Sequence, residues 1–218
     1  MAEQQRVRRL LAESFRVIVV AKTIVIKSGH EIGRAIAALC RGGIVVYPTE
    51  TAYGIGADWT NKRACAKIYR IKRRPKEKLL PAIVGSHDIA KRYVAFDAQT
   101  LRLVRKFMPG PLTLVSSSKL GKHSIAWRIP SHWLALELAK RFGRPITATS
   151  ANISGQPPLY RSEDVKRTFS GKVDVIIDAG NLPRRTPSTI FDVRTAKVVR
   201  KGPISKTAIL RALKIKGR

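Results

Sequence analysis

The chain of 218 residues carries 43 Lys+Arg against 14 Asp+Glu, a formal net charge of +29. Its 44% of hydrophobic residues can bury a substantial core, which excludes a disordered basic tail protein. Two cysteines, Cys40 and Cys65, are too few for a disulfide framework or a tetrahedral metal site, and no apolar run approaches the ~20 residues that span a bilayer. A reducing compartment follows. Glu13 and Arg16 interrupt the apolar stretch a signal peptide needs, and Glu3 and Glu13 argue against a transit peptide, so the expected location is cytoplasmic, with no membrane partner.

Residues 16–27 alternate and are β-branched, which predicts a strand. Residues 1–15 then form a basic N-terminal extension to a domain spanning 16–218. Ser28 and Glu31 have the spacing of a capping box, and Ile32, Ala35, Ile36 and Leu39 continue at helical spacing until Gly42-Gly43. Residues 44–47 read as a short buried strand and 48–58 as a loop. Asn61 caps a helix through Ile71, 80–84 is a strand, and 98–107 is a helix. Strands are expected at 112–116 and 124–128, then a helix from Ser131 to Phe142 stopped by Gly143. An apolar strand at 145–149 leads into a loop of small residues, 150–158. Ser162 caps a further helix, 173–177 is a strand, 188–193 and 196–200 close a hairpin, and Ser205 opens the last helix. No internal repeat or linker divides the chain. The alternation predicts a single α/β domain with a twisted, open mixed sheet and flanking helices.

The charge is unevenly spread. Nine basic residues and one acid, Glu77, lie between Lys62 and Lys78; no acid lies between Asp97 and Glu137, and none follows Asp192. A polyanionic partner and a generally basic proteome each account for such an excess.

Three segments combine glycine, hydroxyl and cationic residues near strand or helix ends, where ligands of open α/β sheets gather. They are 48–58, Lys72-Arg73-Arg74-Pro75 and 150–155. Glycines admit backbone amides to an anion, hydroxyls donate to its oxygens, and Lys and Arg neutralise it. Each segment taken alone has a plainer reading. Gly54 and Gly56 serve as turn residues, Lys72 to Arg74 as a solvated helix C-terminus, and Ser150 and Asn152 as turn groups. Their joint occurrence favours a site.

Together these residues resemble the YrdC/TsaC-like family of threonylcarbamoyl-AMP synthases. The run Pro48-Thr49-Glu50-Thr51-Ala52-Tyr53-Gly54-Ile55-Gly56-Ala57 is similar to its P-T-E-T-x-Y-G-L-G-A signature. Lys72-Arg73-Arg74 matches a K-x-R motif and Ser150-Ala151-Asn152 an S-x-N motif. Residues 109–115, 128–130 and 187–190 stand in the family order, so the resemblance runs from about Ser28 to Pro203. It implies a YrdC-like fold with a basic concave cavity, in the short form without a second C-terminal domain.

The implied reaction joins L-threonine, bicarbonate and ATP into L-threonylcarbamoyladenylate and pyrophosphate. The product feeds N6-threonylcarbamoylation of adenosine 37 in tRNA through a downstream threonylcarbamoyl transferase complex. By the resemblance, Thr51, Arg128 and Ser188 take L-threonine. Lys72, Arg74, Lys78, Ser124, Ser150, Asn152 and Arg200 take ATP, with Lys72 and Arg74 the catalytic pair and Mg2+ accompanying the nucleotide. Lys78 and Pro158 depart from the family, which often has Asn and Ser at those places. No protein metal site is expected, and His30, His87, His123 and His132 are too scattered for a nucleophile pair. A different class of function stays open beside the synthase: a module that binds tRNA or double-stranded RNA.

Overall fold

The computed structural model describes residues 23–27, 31–121 and 124–213. The 1–15 extension, the first part of the strand expected at 16–27, and Ser28 lie outside the described residues.

Strand β1 (Ile24–Ile26) leads to helix α1 (Ile32–Cys40), which buries Ile32, Ala35, Ala38 and Leu39. Glu31 stands at the helix N-cap but makes no side-chain cap bond; its carboxylate lies 3.4 Å from Arg34. At the other end Gly42 adopts φ +72°, with Gly42 N–H donating to Leu39 O and Gly43 N–H to Ala38 O. These paired bonds satisfy carbonyls that the helix end leaves open, and the left-handed position favours glycine.

Strands β2 (Val45–Pro48) and β3 (Tyr53–Gly56) pair antiparallel, with Tyr47 opposite Gly54. Half of the segment expected as a loop at 48–58 is therefore a strand. Its glycines misled the reading. A Cβ on Gly56 would lie 2.7 Å from the Tyr47 ring and 2.8 Å from Thr147 O, and one on Gly54 would lie 3.3 Å from the same ring. The glycines make room for a tyrosine laid across the sheet, a close approach that a strand glycine permits. Gly56→Ala is accordingly expected to lower stability by about 1–3 kcal/mol through overpacking, measured from urea denaturation midpoints.

Helix α2 (Lys62–Lys72) starts where Asn61 Oδ1 accepts from Ala64 N–H, the cap read from sequence. Strand β4 (Ala82–Ile83) is shorter than the 80–84 expected, and α3 (His87–Lys91), capped by Ser86, was not foreseen. The helix α4 (Ala98–Phe107) has the predicted bounds, with Asp97 accepting from Thr100 N–H at 2.6 Å. Strands β5 (Leu112–Ser117) and β6 (Ser124–Arg128) follow as an antiparallel pair. Helix α5 (Trp133–Phe142) begins two residues later than Ser131.

The strand expected at 145–149 is divided. Strand β7 (Ile146–Thr147) pairs with β4, whereas β8 (Thr149–Ser150) pairs with β3. Between them Ala148 N–H donates to Pro81 O at 2.7 Å. The chain thus passes from one sheet to another within five residues. Helix α6 (Ser162–Phe169) takes Arg161, not Ser162, as its N-cap. Strand β9 (Val175–Ile177), the hairpin of β10 (Thr189–Asp192) and β11 (Lys197–Arg200), and helix α7 (Lys206–Leu213) complete the order.

The strands form two mixed sheets where one was expected: β1-β9-β2-β3-β8 and β11-β10-β5-β6-β4-β7. The first is covered on both faces. Val45, Tyr47, Val175 and Ile177 pack on α1 and α5, while Val46, Ile55 and Ile176 pack on α2 and α6. In the second sheet Leu112, Leu114, Ile125, Trp127 and Phe191 pack towards α4 and α7. Alternation then sends Thr113, Val115, Ala126 and Arg128 to the opposite face. That face is where the cavity lies.

Candidate active site

A cavity of about 450 Å3 opens over this face, bounded by the β2–β3 hairpin, β8 and the segment entering β10. Ala82, Val115, Ala126 and Ile190 give it a low apolar floor, and Thr113 and Arg128 bring polar groups up through that floor. Small side chains leave the volume; the alternation aims the polar ones.

The hairpin turn is closed from within. Buried Thr49 donates its hydroxyl to Ala52 O at 2.6 Å and accepts from the N–H groups of Thr51 and Ala52. Such a hydroxyl turn fixes the loop locally. It leaves Thr51 on the cavity wall, its Oγ1 3.0 Å from that of Thr49.

Arg128 ends β6 and is 7% exposed. Its Nη1 donates to Glu50 Oε1, and the two side chains are 9% and 10% exposed. Glu50 is the neighbour of Thr51 in the signature, yet sequence reasoning gave it no role. The pairing spans 78 residues of chain, so no local spacing signals it. Glu50 Oε2 and His132 Nδ1 are both buried without a hydrogen-bond partner. Burial holds the His132 imidazole below its usual range, with the Glu50 charge acting in the opposite sense.

Ser188 sits beside Thr113, hydroxyl to hydroxyl at 2.8 Å. Arg200 grips it with Nε and Nη2 on the Ser188 carbonyl, at 3.0 and 2.8 Å, and Nη2 also reaches its hydroxyl. Burial, and next the charge of Arg128, push Arg200 below the usual arginine range. Two guanidiniums therefore line one cavity.

The K-x-R and S-x-N motifs interlock. Lys72 is 2% exposed, and its Nζ donates to Ser150 O, Asn152 O and Asn152 Oδ1 at 2.5, 2.7 and 3.3 Å. Burial, then the charge of Arg74, lower its ammonium to about 8. Asn152 in turn donates to Ile153 O and Gln156 O. Arg73, between the two motif cations, adopts φ +51°, a left-handed conformation that reverses the chain after the helix. Lys72 continues the buried helix face of Ala64 and Ile68 and so points into the protein, while the turn carries Arg74 to the cavity wall, where it donates to the carbonyls of Lys78 and Leu79.

Of the residues singled out from sequence, Thr51, Arg74, Arg128, Ser150, Ser188 and Arg200 share one cavity wall. Lys72 and Asn152 stand behind it as the fastening of Ser150. Lys78 contributes its carbonyl to Arg74 and Tyr69, with its side chain exposed. Ser124 lies at the far end of β6, on the same strand face as Ala126 and Arg128 by alternation, but outside the lining. Arg185 and Tyr160 do line the cavity and were not foreseen as site residues. Among the described residues no three His, Cys, Asp or Glu side chains form a metal cluster.

A mixed α/β fold with a basic, hydroxyl-lined cavity on an open sheet face is a scaffold for binding small anionic substrates. Residues 37–202 match the family model described as "Telomere recombination", which gathers the Sua5, YciO and YrdC proteins, and the chain belongs to that family. It is 34% identical to the threonylcarbamoyl-AMP synthase of Vibrio campbellii over 176 residues, covering 76% of this chain and 95% of that enzyme. Its structure resembles P. abyssi Sua5 complexed with L-threonine, with a TM-score of 0.79, 30% identity, and coverage of 88% of this chain and 60% of that one. E. coli YciO follows at a TM-score of 0.72 and 26% identity, covering 84% of this chain and 95% of that one. The chain thus spans about three fifths of the Sua5 chain and nearly all of the Vibrio enzyme.

Proposed function

We propose that the chain makes threonylcarbamoyl-AMP from L-threonine, bicarbonate and ATP, releasing pyrophosphate. The observation that carries this reading is one wall bearing Thr51, Arg128 and Ser188 beside Arg74, Ser150 and Arg200. The Vibrio relative's name and the threonine bound to Sua5 agree with it.

The chemistry asks for such a wall. The threonine amine, once its ammonium proton is lost to solvent, adds to CO2 derived from bicarbonate and gives an N-carboxylate, its released proton leaving as water with the hydroxide from bicarbonate. An oxygen of that carboxylate attacks the α-phosphorus of ATP, and the bond to the β-phosphate oxygen breaks to release pyrophosphate. The N-carboxylate and ATP are both anions, so orientation and charge neutralisation carry the transfer step rather than a strong base. Arg128 offers a planar fork to the threonine α-carboxylate, and the Thr51 and Ser188 hydroxyls fix its position. Arg74 and Arg200 oppose the charge of the nucleotide, with Lys72 and Asn152 holding the Ser150 loop against it. Lys78 and Ser124 reach it from the periphery. Mg2+ would accompany the triphosphate and offset part of its charge; no Asp or Glu lines the cavity among the described residues, and Glu50 beside it pairs with Arg128.

The product, a mixed anhydride, passes to a downstream transferase that modifies adenosine 37 of tRNA, a cytoplasmic role. None of the described helices is long and apolar enough to cross a membrane. Mass spectrometry of a mixture of protein, ATP, threonine and bicarbonate tests the reading. A threonylcarbamoyl-AMP peak that vanishes when bicarbonate or threonine is omitted is expected. Arg74→Ala should abolish it while leaving a folded protein, and pyrophosphate release unchanged in that variant would sink the mechanism.

A second reading has its own observation. Lys62, Arg63, Arg70, Arg73, Lys76 and Lys78 are exposed along and after α2, and none pairs with an acid among the described residues. A stripe of uncompensated cations suits an RNA backbone. Binding of tRNA that weakens by orders of magnitude between ~50 and ~200 mM salt is its expected signature, and a flat salt response removes it. Both activities fit one enzyme.

A further inference from the structure

Four arginines stand on the cavity wall: Arg74, Arg128, Arg185 and Arg200. Three are already held by the protein. Arg74 donates to the Lys78 and Leu79 carbonyls, Arg128 to Glu50, and Arg200 to Ser188. Arg185 has neither a hydrogen-bond partner nor an acidic one among the described residues. All five of its N–H donors are unspent.

The position of this arginine is built. It lies on the segment that leaves β9 of the first sheet and enters β10 of the second, and that segment is fastened on both sides of it. Upstream, Leu182 N–H donates to Tyr160 O at 2.8 Å, and the Arg184 guanidinium lies 5.7 Å from the centre of the Tyr160 ring. Downstream, Ser188 is locked by Arg200 and Thr113. The neighbouring Arg184, itself outside the cavity lining, is thus spent on the Tyr160 ring, while Arg185 borders the cavity itself. It does so at the open edge: Arg185 is exposed, as are the bordering Leu79 and Val199 at 58% and 63%, whereas Arg128 lies deep at 7%.

We propose that Arg185 binds the terminal two phosphates of the nucleotide, the pair that departs as pyrophosphate. This rests on the reading that the cavity takes ATP and threonine together. The α-phosphate has to reach the deep, threonine-binding end to be attacked. The remaining phosphates then trail towards the mouth, carry most of the nucleotide charge, and leave by that route. An arginine fork free of protein acceptors at the mouth fits phosphate oxygens two at a time. A neutral base would make no use of it.

Titration calorimetry of the full chain with inorganic pyrophosphate, followed by steady-state kinetics, tests the assignment. Arg185→Gln should weaken pyrophosphate binding and raise KM for ATP by about tenfold or more, the scale of one lost charge-assisted contact. KM for threonine should stay within twofold. Arg185→Lys should recover part of the loss, since it keeps the charge without the fork. Arg105→Gln, which removes an equal charge on the exposed side of α4, across the second sheet from the cavity, should leave all three constants within twofold, because exposed charges beyond a Debye length are screened. Arg185 is exposed and unpartnered, so these variants fold.

Three results would overturn the proposal: undiminished pyrophosphate affinity in Arg185→Gln, no measurable pyrophosphate binding by the wild type, or a raised KM for threonine in place of ATP. Failure of the synthase reading looks different. The wild-type protein would then form no threonylcarbamoyl-AMP, and the pyrophosphate titration would still decide the role of Arg185.

Discussion

Lys72→Ala is expected to lose threonylcarbamoyl-AMP formation and also to destabilise the protein by about 3–5 kcal/mol, a larger stability loss than any other substitution in the K-x-R segment. The residue is 2% exposed and its ammonium serves three acceptors, two of them backbone carbonyls of the S-x-N loop. Truncation leaves Asn152 O without its donor in a place water enters poorly, and leaves Ser150 O and Asn152 Oδ1 with one donor each, from Asn152 N–H and the Ser150 hydroxyl. A buried orphan costs about 1–3 kcal/mol, and the weakened loop and the void left by the missing stem add to that sum. Arg74→Ala frees only the exposed carbonyls of Lys78 and Leu79, which water satisfies. It should cost less than about 1 kcal/mol, a typical net value for one such hydrogen bond. Equilibrium urea denaturation of both variants, run beside the product assay, separates the two roles. Equal stability of Lys72→Ala and wild type would show that the ammonium does not fasten the Ser150 loop.

This division of labour was invisible in the motif. The K-x-R spacing read as two equivalent cations, but Lys72 stays on the buried helix face of Ala64 and Ile68 while the left-handed turn at Arg73 carries Arg74 to the cavity. What the sequence did carry was local. The cap at Asn61 and the amphipathic spacing after it mark α2, residues 98–107 read as a helix over the bounds of α4, and alternating apolar residues mark β5, β6 and the closing hairpin. These signals act over one or two turns, or within a strand pair, where side chain and backbone interact directly.

Long-range pairings left no such trace. The glycines of β3 looked like turn residues because the tyrosine that needs their space comes from the opposite strand. The apolar run at 145–149 gave no hint of changing sheets at Ala148, since both halves are equally strand-like and only their partners differ. The site was legible as a set of residue types and not as a geometry. Six of its members converge on one wall, while the pair Arg184 and Arg185 stood out as basic without a role, because nothing in an irregular segment tells which of the two meets the cavity.

Glu50→Ala is the second substitution expected to act strongly, through Arg128. The pair is nearly closed off, with side chains 9% and 10% exposed, and Arg128 finds no other acid among the described residues. Removing one member of a buried pair leaves the other as an unpaired charge, at a cost of about 3–5 kcal/mol. The open cavity next to Arg128 lets water relieve part of this, so the lower end, about 3 kcal/mol, is the expected loss. The effect should extend to substrate. Without its carboxylate partner the guanidinium has no fixed orientation, and the fork proposed for the threonine carboxylate is no longer set in advance. KM for threonine should rise at least about tenfold, the size of one misplaced charge-assisted contact, while KM for ATP changes little. Glu50→Gln distinguishes orientation from charge. Its amide oxygen can accept the same N–H, so it should restore most of the threonine KM while recovering only part of the stability. Thermal melts and a KM split between the two substrates give both answers from the same pair of proteins. A Glu50→Gln variant with threonine KM as poor as Glu50→Ala would mean that the carboxylate charge, rather than the direction it imposes on Arg128, is what the site requires.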